Sequence, residues 1–267
     1  MSKSQHWYDK DGKAVFEVPK AKGGGMRATT IADARKLGLY PSVTTVLGVL
    51  DKPQLTDWKL AQVSNWCHGN PPQDNEGVDS YARRATEGAF AQVTEAADLG
   101  TAIHAALESH FKGLPVPEGY DAYVQPVAVL LAKEGIKLRE HELRLVNTQL
   151  GYAGTTDAVF EDAAGDVGIL DFKSRKTKPS QKCEPWETEP MQIAAYSAAK
   201  FGLFTDPHLS RPYLKAPFGA NVYISTTEKG RVEIVRYDCN QLEDAWVAFR
   251  NALNLWQYLR GYKPPTA

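Results

Sequence analysis

The sequence predicts an α+β protein, with a mixed-sheet α/β core and a helical N-terminal extension. Two observations favour this class. Helical periodicity and helix-breaking turns dominate the first half of the 267 residues, whereas strand-like alternation of apolar and polar residues begins at residue 136. A closing amphipathic helix follows the strands. We therefore predict one domain over 1–267, made of a polar lead-in (1–28), a mainly helical part (29–135) and a sheet-containing core (136–267).

The composition is that of an ordinary globular protein, with 43% hydrophobic and 24% charged residues. No apolar run approaches the roughly 20 residues of a membrane span, and the first residues lack the apolar segment of a secretory signal. These features predict a cytosolic protein with no membrane partner. The three scattered cysteines form no C-x-x-C pair, which argues against a zinc ribbon or a disulfide framework. The net charge of -1 neither supports nor excludes nucleic-acid binding, since phosphate responds to local charge.

The first half should contain a short hairpin around Asp11-Gly12, a flexible join at the triple glycine 23–25, and a series of helices. The predicted helices span 30–37, a segment from 43 with Ser42 as N-cap, 54–66, 78–111 with a candidate interruption at Gly88, and 120–133.

The second half should contain three meandering strands, a helix, two paired strands and a final helix. The predicted strands cover 136–148, 156–162, 167–172, 221–227 and 231–238. The predicted helices cover 191–204 and 241–258, and 179–190 is expected to be a loop.

Two carboxylates and a lysine follow one another on the predicted hairpin. Asp157 lies in the run TDAVFED, and Asp171 and Lys173 flank Phe172 at the end of the apolar run VGILDF. Side chains alternate along a strand, so Asp171 and Lys173 should share one face. An acid that emerges from a buried strand needs a partner or a metal. Mg²⁺ held by carboxylates can promote phosphodiester hydrolysis, with the lysine orienting or deprotonating water. A lone D-x-K pattern is common by chance, so the assignment depends on its surroundings.

Two other groups of residues lie at helical spacing. Gln192 and Tyr196 share one helical face, and His104 and Glu108 do so on an earlier helix. Taken alone, each group has a simpler structural explanation. Gln192 and Tyr196 could be a polar pair on a solvated face, and His104 could be a core or capping histidine. The functional alternative directs Gln192 and Tyr196 at the site. It also makes His104 a nitrogen ligand, which suits Mn²⁺ better than Mg²⁺.

Four short motifs occur in a fixed order, namely GxxxH at 100–104, GTTD at 154–157, LDFK at 170–173 and QxxxY at 192–196. This succession resembles the RecB-type branch of the PD-(D/E)xK nuclease superfamily, which includes phage exonucleases and the mitochondrial genome maintenance exonuclease. The run YPSVTTVLGVLDKPQLTDW is similar to the opening of those members. The resemblance covers about residues 40–196. It departs from the family pattern at Thr156, where the signature proline would stand.

The resemblance implies a PD-(D/E)xK core and a metal-dependent deoxyribonuclease. The implied metal ligands are His104, Asp157, Asp171 and the backbone carbonyl of Phe172. The implied catalytic residues are Asp157, Asp171, Lys173, Gln192 and Tyr196. Glu108 is a further candidate ligand, and Glu142 is either an acid of the first core element or an ordinary strand residue. Ser42 and Thr44 are candidates for contact with a phosphate or a strand end.

The cofactor implied by the resemblance is Mg²⁺ or Mn²⁺. The cluster cysteines of some relatives are absent, so no iron–sulfur cluster is expected. The implied partners are DNA, as single strands or duplex ends, and a recombinase or a single-strand annealing or binding protein. The expected location is the cytosol of a bacterium or of a phage-infected host.

A basic loop follows the candidate lysine. It carries Arg175, Lys176, Lys178 and Lys182, with Trp186 close by for base stacking. A charge run is usually a solvated face, but beside a phosphodiesterase centre it favours DNA tracking. The leading hypothesis is therefore an exonuclease acting from strand ends. The alternatives are an endonuclease of the same superfamily and a catalytically inactive DNA-binding module. Cleavage polarity, strand preference and oligomeric state stay open.

Overall fold

Seven helices and nine strands occur in the described part of the chain, residues 6–202 and 219–266 of the computed structural model. The helices are α1 (Ile31–Leu37), α2 (Val43–Leu47), α3 (Pro53–Gly69), α4 (Val78–Phe111), α5 (Asp121–Lys133), α6 (Thr188–Phe201) and α7 (Cys239–Arg260). The strands are β1 (Trp7–Tyr8), β2 (Glu17–Pro19), β3 (Met26–Ala28), β4 (Tyr40–Pro41), β5 (Lys137–Asn147), β6 (Tyr152–Glu161), β7 (Val167–Arg175), β8 (Gly219–Ser225) and β9 (Val232–Tyr237). The predicted α+β class is confirmed.

The main sheet is five-stranded and mixed, in the order β5-β6-β7-β8-β9. The first three strands form the antiparallel meander that the sequence predicts. β8 then runs parallel to β7, with Gly219 opposite Ile169, and α6 lies between the two strands in the sequence. β9 pairs antiparallel with β8. Two small sheets, β1-β4 and β2-β3, accompany it.

The chain divides into two compact units. One comprises the described residues of 1–49 and 106–267 and contains the main sheet. The other comprises 50–105, which form α3 and most of α4. Within this second unit α4 runs through Gly88 without interruption. A Cβ at Gly88 would lie 2.3 Å from Nε1 of Trp66, so the glycine makes room for the indole.

Helix ends in the first unit follow their local sequence. Thr30 and Asp33 form a capping box at the start of α1. The Ser42 hydroxyl accepts from the Thr45 amide and caps α2, which is only five residues long. Asp238 and Gln241 form a second capping box, so α7 begins at Cys239, two residues before the predicted start.

Two expectations about local structure need correction, and a third is met. The glycines at 23–25 close the β2-β3 hairpin with positive φ at each residue, rather than forming a flexible join. Helix α6 begins at Thr188, not Met191, so Glu189 belongs to the helix. Its end is at Phe201 with a left-handed Gly202, and Phe204 lies outside the described residues. The expected hairpin around Asp11-Gly12 is present as a turn closed by one Tyr8–Ala14 bridge.

Helices cover the main sheet on both of its faces. α6 packs against β5 to β8, and α7 and α2 pack on α6. α5 packs against β8 and β9. The central strands β6 and β7 are mostly buried, which gives the site described below a rigid base. None of the helices in 6–202 and 219–266 is both long and apolar enough to cross a membrane.

Gly219 of β8 lies close against α6. A Cβ there would lie 2.0 Å from Cγ2 of Ile193. We expect Gly219→Ala to lower the free energy of unfolding by about 1–3 kcal/mol, because the β-branched Ile193 cannot move aside without displacing the helix. Urea denaturation measures the change. Gly69→Ala is the matched control, since a Cβ at Gly69 meets no atom within 4 Å. Equal stability of the two variants would contradict the close packing.

Candidate functional site

The β6-β7 hairpin places two aspartates opposite each other. The antiparallel ladder between the strands ends at Ala158↔Leu170, so Asp157 and Asp171 face each other one step beyond it. Here the carboxylate of Asp157 replaces a backbone partner, since its Oδ2 accepts from the Phe172 amide at 2.6 Å. The amide and carbonyl of one strand residue point to the same side, so the Phe172 carbonyl also faces the gap between the strands.

Asp171 is buried, with 4% of its surface exposed, and its carboxylate is surrounded by donors. Lys173 Nζ lies 2.6 Å from Oδ2. Gln192 Nε2 donates to Oδ1 at 3.2 Å, and Asn221 Nδ2 donates to Oδ2 at 3.4 Å. A carboxylate removed from water stays ionised only with such compensation. The predicted Asp171, Lys173 and Gln192 are thus brought together.

Lys173 is held as an ammonium group. Its Nζ also donates to Gln192 Oε1 at 2.9 Å. Burial pulls the pKa of Lys173 down, but the negative charges of Asp171, Asp157 and Glu189 outweigh it, and the pKa lies above its usual value. In this arrangement the lysine is an ammonium cation placed to hold an anionic oxygen.

Tyr196 completes this group on α6. Gln192 Nε2 contacts its hydroxyl at 3.4 Å. Burial raises the pKa of Tyr196, so the phenol is neutral. Gly154 lies against the ring, and a Cβ at this position would come 2.7 Å from Cε1 of Tyr196. The glycine of the GTTD motif therefore has a packing reason, because any side chain there would push Tyr196 away.

Sequence reasoning missed Asn221. It lies in β8, fully buried, and its Oδ1 accepts from the Tyr237 hydroxyl at 2.6 Å while Nδ2 faces Asp171. Tyr237 thereby orients the amide, and the amide in turn orients the carboxylate. The available signal was an asparagine inside the apolar run GANVYIS, since a buried amide needs partners. Its partner could not be named because β8 is distant from β7 in sequence.

Glu189 was also missed, because its position was assigned to a loop. The buried carboxylate accepts from Arg175 at 2.5 Å and from the Tyr223 hydroxyl at 2.6 Å. The Arg175 guanidinium lies between two rings, 4.7 Å from the centroid of Trp186 and 4.2 Å from that of Tyr223. Arg175, expected to contact DNA phosphate, is thus engaged with protein groups.

The lysines of the basic loop are exposed at 176, 178 and 182, as the sequence predicts for a charged surface. The loop backbone is fastened to the turn between β8 and β9. Arg231 donates to the carbonyls of Lys178, at 2.9 Å, and Gln181. Thr227 donates to the carbonyl of Thr177 at 3.0 Å. The ammonium groups are therefore carried on an anchored backbone.

Ser42 and Thr44 lie at the start of α2. Ser42 is buried, and its hydroxyl is occupied by the Thr45 amide and by the hydroxyls of Thr44 and Thr45. Its backbone forms a parallel bridge with Ala153, which joins α2 to β6. Thr44 is exposed. Ser42 thus has a structural role, and Thr44 is the hydroxyl presented to solvent.

The other three predicted metal ligands or acids, Glu142, Glu108 and His104, lie on β5 and α4. Glu142 lies opposite Asp157 in the β5-β6 register and has φ +48°, an unfavourable backbone conformation for a residue with a side chain. Such strain often accompanies functional sites. Glu108 pairs with Lys112, the residue that follows the end of α4. His104 belongs to the second unit, where it is half-buried on α4.

Asp157 and Asp171 provide the oxygen ligands that a divalent metal ion prefers. Within residues 6–202 and 219–266, no three His, Cys, Asp or Glu side chains come together as a metal-binding cluster. Mg²⁺ needs fewer, since it is commonly held by one or two carboxylates and keeps several waters. Asp157 and Asp171 carry two negative charges against the one positive charge of Lys173, so these three groups together also favour a cation. The donor set therefore fits Mg²⁺ or Mn²⁺.

Comparisons with known proteins add little to this geometry. No family model matches the sequence, and no curated protein matches it. The crystal structure of SSO0001 is similar with a TM-score of 0.33 and 14% sequence identity, over 79% of this chain and 88% of that one. A likeness at that TM-score bears on neither the site nor the activity, so both rest on the residues themselves.

Glu189 should be essential for stability. We expect Glu189→Ala to lower the free energy of unfolding by about 3–5 kcal/mol, because it leaves the Arg175 charge uncompensated in a largely buried position. Urea denaturation gives the value. Glu187→Ala, an exposed glutamate two residues earlier, is the matched control and should change stability by less than about 0.5 kcal/mol. A small effect at Glu189 would show that the pair contributes little.

Proposed function

We propose that this protein is a metal-dependent DNA exonuclease of the RecB-type branch of the PD-(D/E)xK superfamily. One observation carries the proposal. Residues from three separate motifs converge on the Asp171 carboxylate, with Lys173 at 2.6 Å, Gln192 at 3.2 Å and Asp157 on the facing strand. An ordinary surface D-x-K pair would not be expected to bury its acid or to recruit a glutamine from the following helix.

Asp157, Asp171 and the carbonyl of Phe172 would hold Mg²⁺ or Mn²⁺. When bound, the metal would neutralise charge on the phosphoryl oxygens and lower the pKa of a bound water. The protein fixes these ligands in advance, since the Phe172 amide holds Asp157 and the Asn221 amide holds Asp171. Preorganised ligands need little rearrangement when a substrate arrives.

Lys173 would act on the substrate directly, and Gln192 would position the lysine. The ammonium group is suited to a non-bridging phosphoryl oxygen, where negative charge develops during hydrolysis. Gln192 links the lysine, Asp171 and Tyr196, so it sets where the ammonium points. Tyr196, neutral and buried, would keep Gln192 in place. These roles use each residue in the protonation state that its surroundings favour.

The preference for strand ends rests on the resemblance to exonucleases, and an endonuclease would share the same chemistry. A catalytically inactive DNA-binding module is less well supported, because binding alone needs neither the paired aspartates nor Lys173. A recombinase or single-strand annealing or binding protein as partner remains part of the proposal on the same grounds. A cytosolic location belongs to the proposal as well.

The first test removes the lysine. We expect Lys173→Ala to lower the rate of DNA hydrolysis at least about 100-fold, since it deletes a charge aimed at the developing anion, while DNA affinity in EDTA changes little. Cleavage of 5′-labelled and 3′-labelled, single- and double-stranded, linear and circular DNA is followed with Mg²⁺, Mn²⁺ or EDTA. Lys36→Ala, an exposed lysine on α1, serves as the control.

The outcomes separate the candidates. Digestion of linear but not circular DNA supports an exonuclease, and digestion of both supports an endonuclease. Binding without cleavage by the wild type under every metal condition supports the inactive module. Wild-type turnover by Lys173→Ala would eliminate this site as the catalytic centre.

The second test concerns the exposed lysines at 176, 178 and 182. If they neutralise three phosphates, their joint replacement by alanine should weaken single-stranded DNA binding and reduce the slope of log affinity against log salt by about 2. Fluorescence anisotropy over a salt series in EDTA measures both quantities. An unchanged slope would mean that DNA does not pass along this loop.

A further inference from the structure

The indole of Trp186 is an exposed aromatic surface beside the proposed site. It precedes α6 and is 62% exposed. One ring face lies against the Arg175 guanidinium, 4.7 Å from its centroid. Since most of the residue is accessible, the ring keeps a large exposed surface beside this contact. A single exposed aromatic residue is common on protein surfaces, so a role for Trp186 depends on how its ring is held and on what lies near it.

The Arg175 side chain under the Trp186 ring is itself held in place by other protein groups. Arg175 is fixed from three sides, by the Glu189 carboxylate at 2.5 Å, the Glu184 carbonyl at 2.8 Å and the Tyr223 ring. The Trp186 amide also donates to Glu189, at 3.0 Å. One buried carboxylate thus holds both the residue beneath the ring and the backbone that carries it. This arrangement presents a rigid aromatic face.

The position of this face is tied to the proposed site. Arg175 lies two residues beyond Lys173 on β7, about 7 Å along the strand, and on the same side of the sheet. The exposed lysines at 176, 178 and 182 follow on the anchored loop. An aromatic ring on the same loop as several exposed lysines is complementary to a chain that alternates phosphates with flat rings, which describes a nucleic-acid strand.

We infer that Trp186, supported by Arg175 and Glu189, is a stacking platform for an unpaired nucleobase, and that the substrate next to the site is single-stranded DNA. The identity of the ligand as DNA rests on the proposed function. The single-stranded state rests on the platform, because the faces of bases in a duplex are covered by their neighbours, except at the terminal pair. A base in a single strand can leave its stack and lie on an aromatic ring at little cost.

The test uses the full-length wild-type protein in EDTA, which prevents metal-dependent cleavage. Fluorescence anisotropy measures the affinity for three labelled ligands of equal length, namely oligothymidylate, an abasic oligomer with the same phosphates, and a blunt duplex. The variants are Trp186→Ala and Trp186→Phe, with Tyr258→Ala as the control, an aromatic residue on α7 that is 83% exposed. Thermal unfolding checks that each variant is folded.

Trp186→Ala should lower the affinity for oligothymidylate by about 5- to 100-fold, as expected for the loss of one base–aromatic stack. Trp186→Phe should retain most of the affinity. The affinities of Trp186→Ala for the abasic oligomer and the duplex should equal those of the wild type. Tyr258→Ala should match the wild type on every ligand.

Two results would overturn the inference. Unchanged affinity of Trp186→Ala for oligothymidylate would exclude stacking, and so would an equal loss on the abasic oligomer, which has no bases. A loss on the duplex as large as that on the single strand would indicate capping of a terminal base pair, contrary to the single-stranded assignment.

Failure of the platform and failure of the proposed function are separate results. A wild type that cleaves DNA while Trp186→Ala binds oligothymidylate normally refutes the platform alone. Base-dependent, Trp186-dependent binding by a wild type that hydrolyses no DNA with Mg²⁺ or Mn²⁺ refutes the nuclease function alone.

Discussion

The structure around the candidate site depends on one constraint, the cost of keeping the Asp171 carboxylate ionised in a buried strand. Removing a carboxylate from water is expensive unless donors replace the water. Here the donors come from β7 itself, from α6 and from β8, through Lys173, Gln192 and Asn221. Meeting this requirement brings β7, α6 and β8 together at one point. The ionised Asp171 can then bind a cation, and Lys173, which keeps it charged, can bind a phosphate oxygen.

Helix α6 has a second task that the same logic explains. Its first turn supplies Glu189 to Arg175 and Tyr223, and its second turn supplies Gln192 to the aspartate and lysine. Both interactions reach the same side of β7, at Arg175 and at Lys173. One packed helix therefore sets the geometry of the proposed catalytic residues and of the Trp186 ring together. A shift of α6 would be expected to disturb both, which makes its close contact with Gly219 of β8 important for the site as well as for the core.

The electrostatics refine the chemistry that the residue pattern suggested. From the pattern alone, Lys173 could orient or deprotonate water. With Asp171 and Asp157 beside it, the pKa of Lys173 is raised despite its burial, so the lysine is an ammonium group held between these acids and Gln192. Arg175 differs from the exposed lysines of the basic loop, because its positive charge is already neutralised by Glu189. Net charge along a sequence does not distinguish these two settings, because neutralisation depends on which acid lies nearby in space.

The sequence by itself determined the α+β class, the β6-β7 hairpin and the presence of Asp157, Asp171, Lys173, Gln192 and Tyr196 within a short stretch, because alternation and helical spacing are local properties of the chain. The start of α6 at Thr188 escaped that reasoning, because Pro190 suggests a loop residue although proline is tolerated in the first turn of a helix. Only the tertiary structure decided that Asn221 and Tyr237 support Asp171 and that Glu189 holds Arg175 under Trp186. These contacts join residues far apart in the chain, and they form because β8 returns parallel to β7 after α6. Such a pairing leaves no periodic trace in either strand.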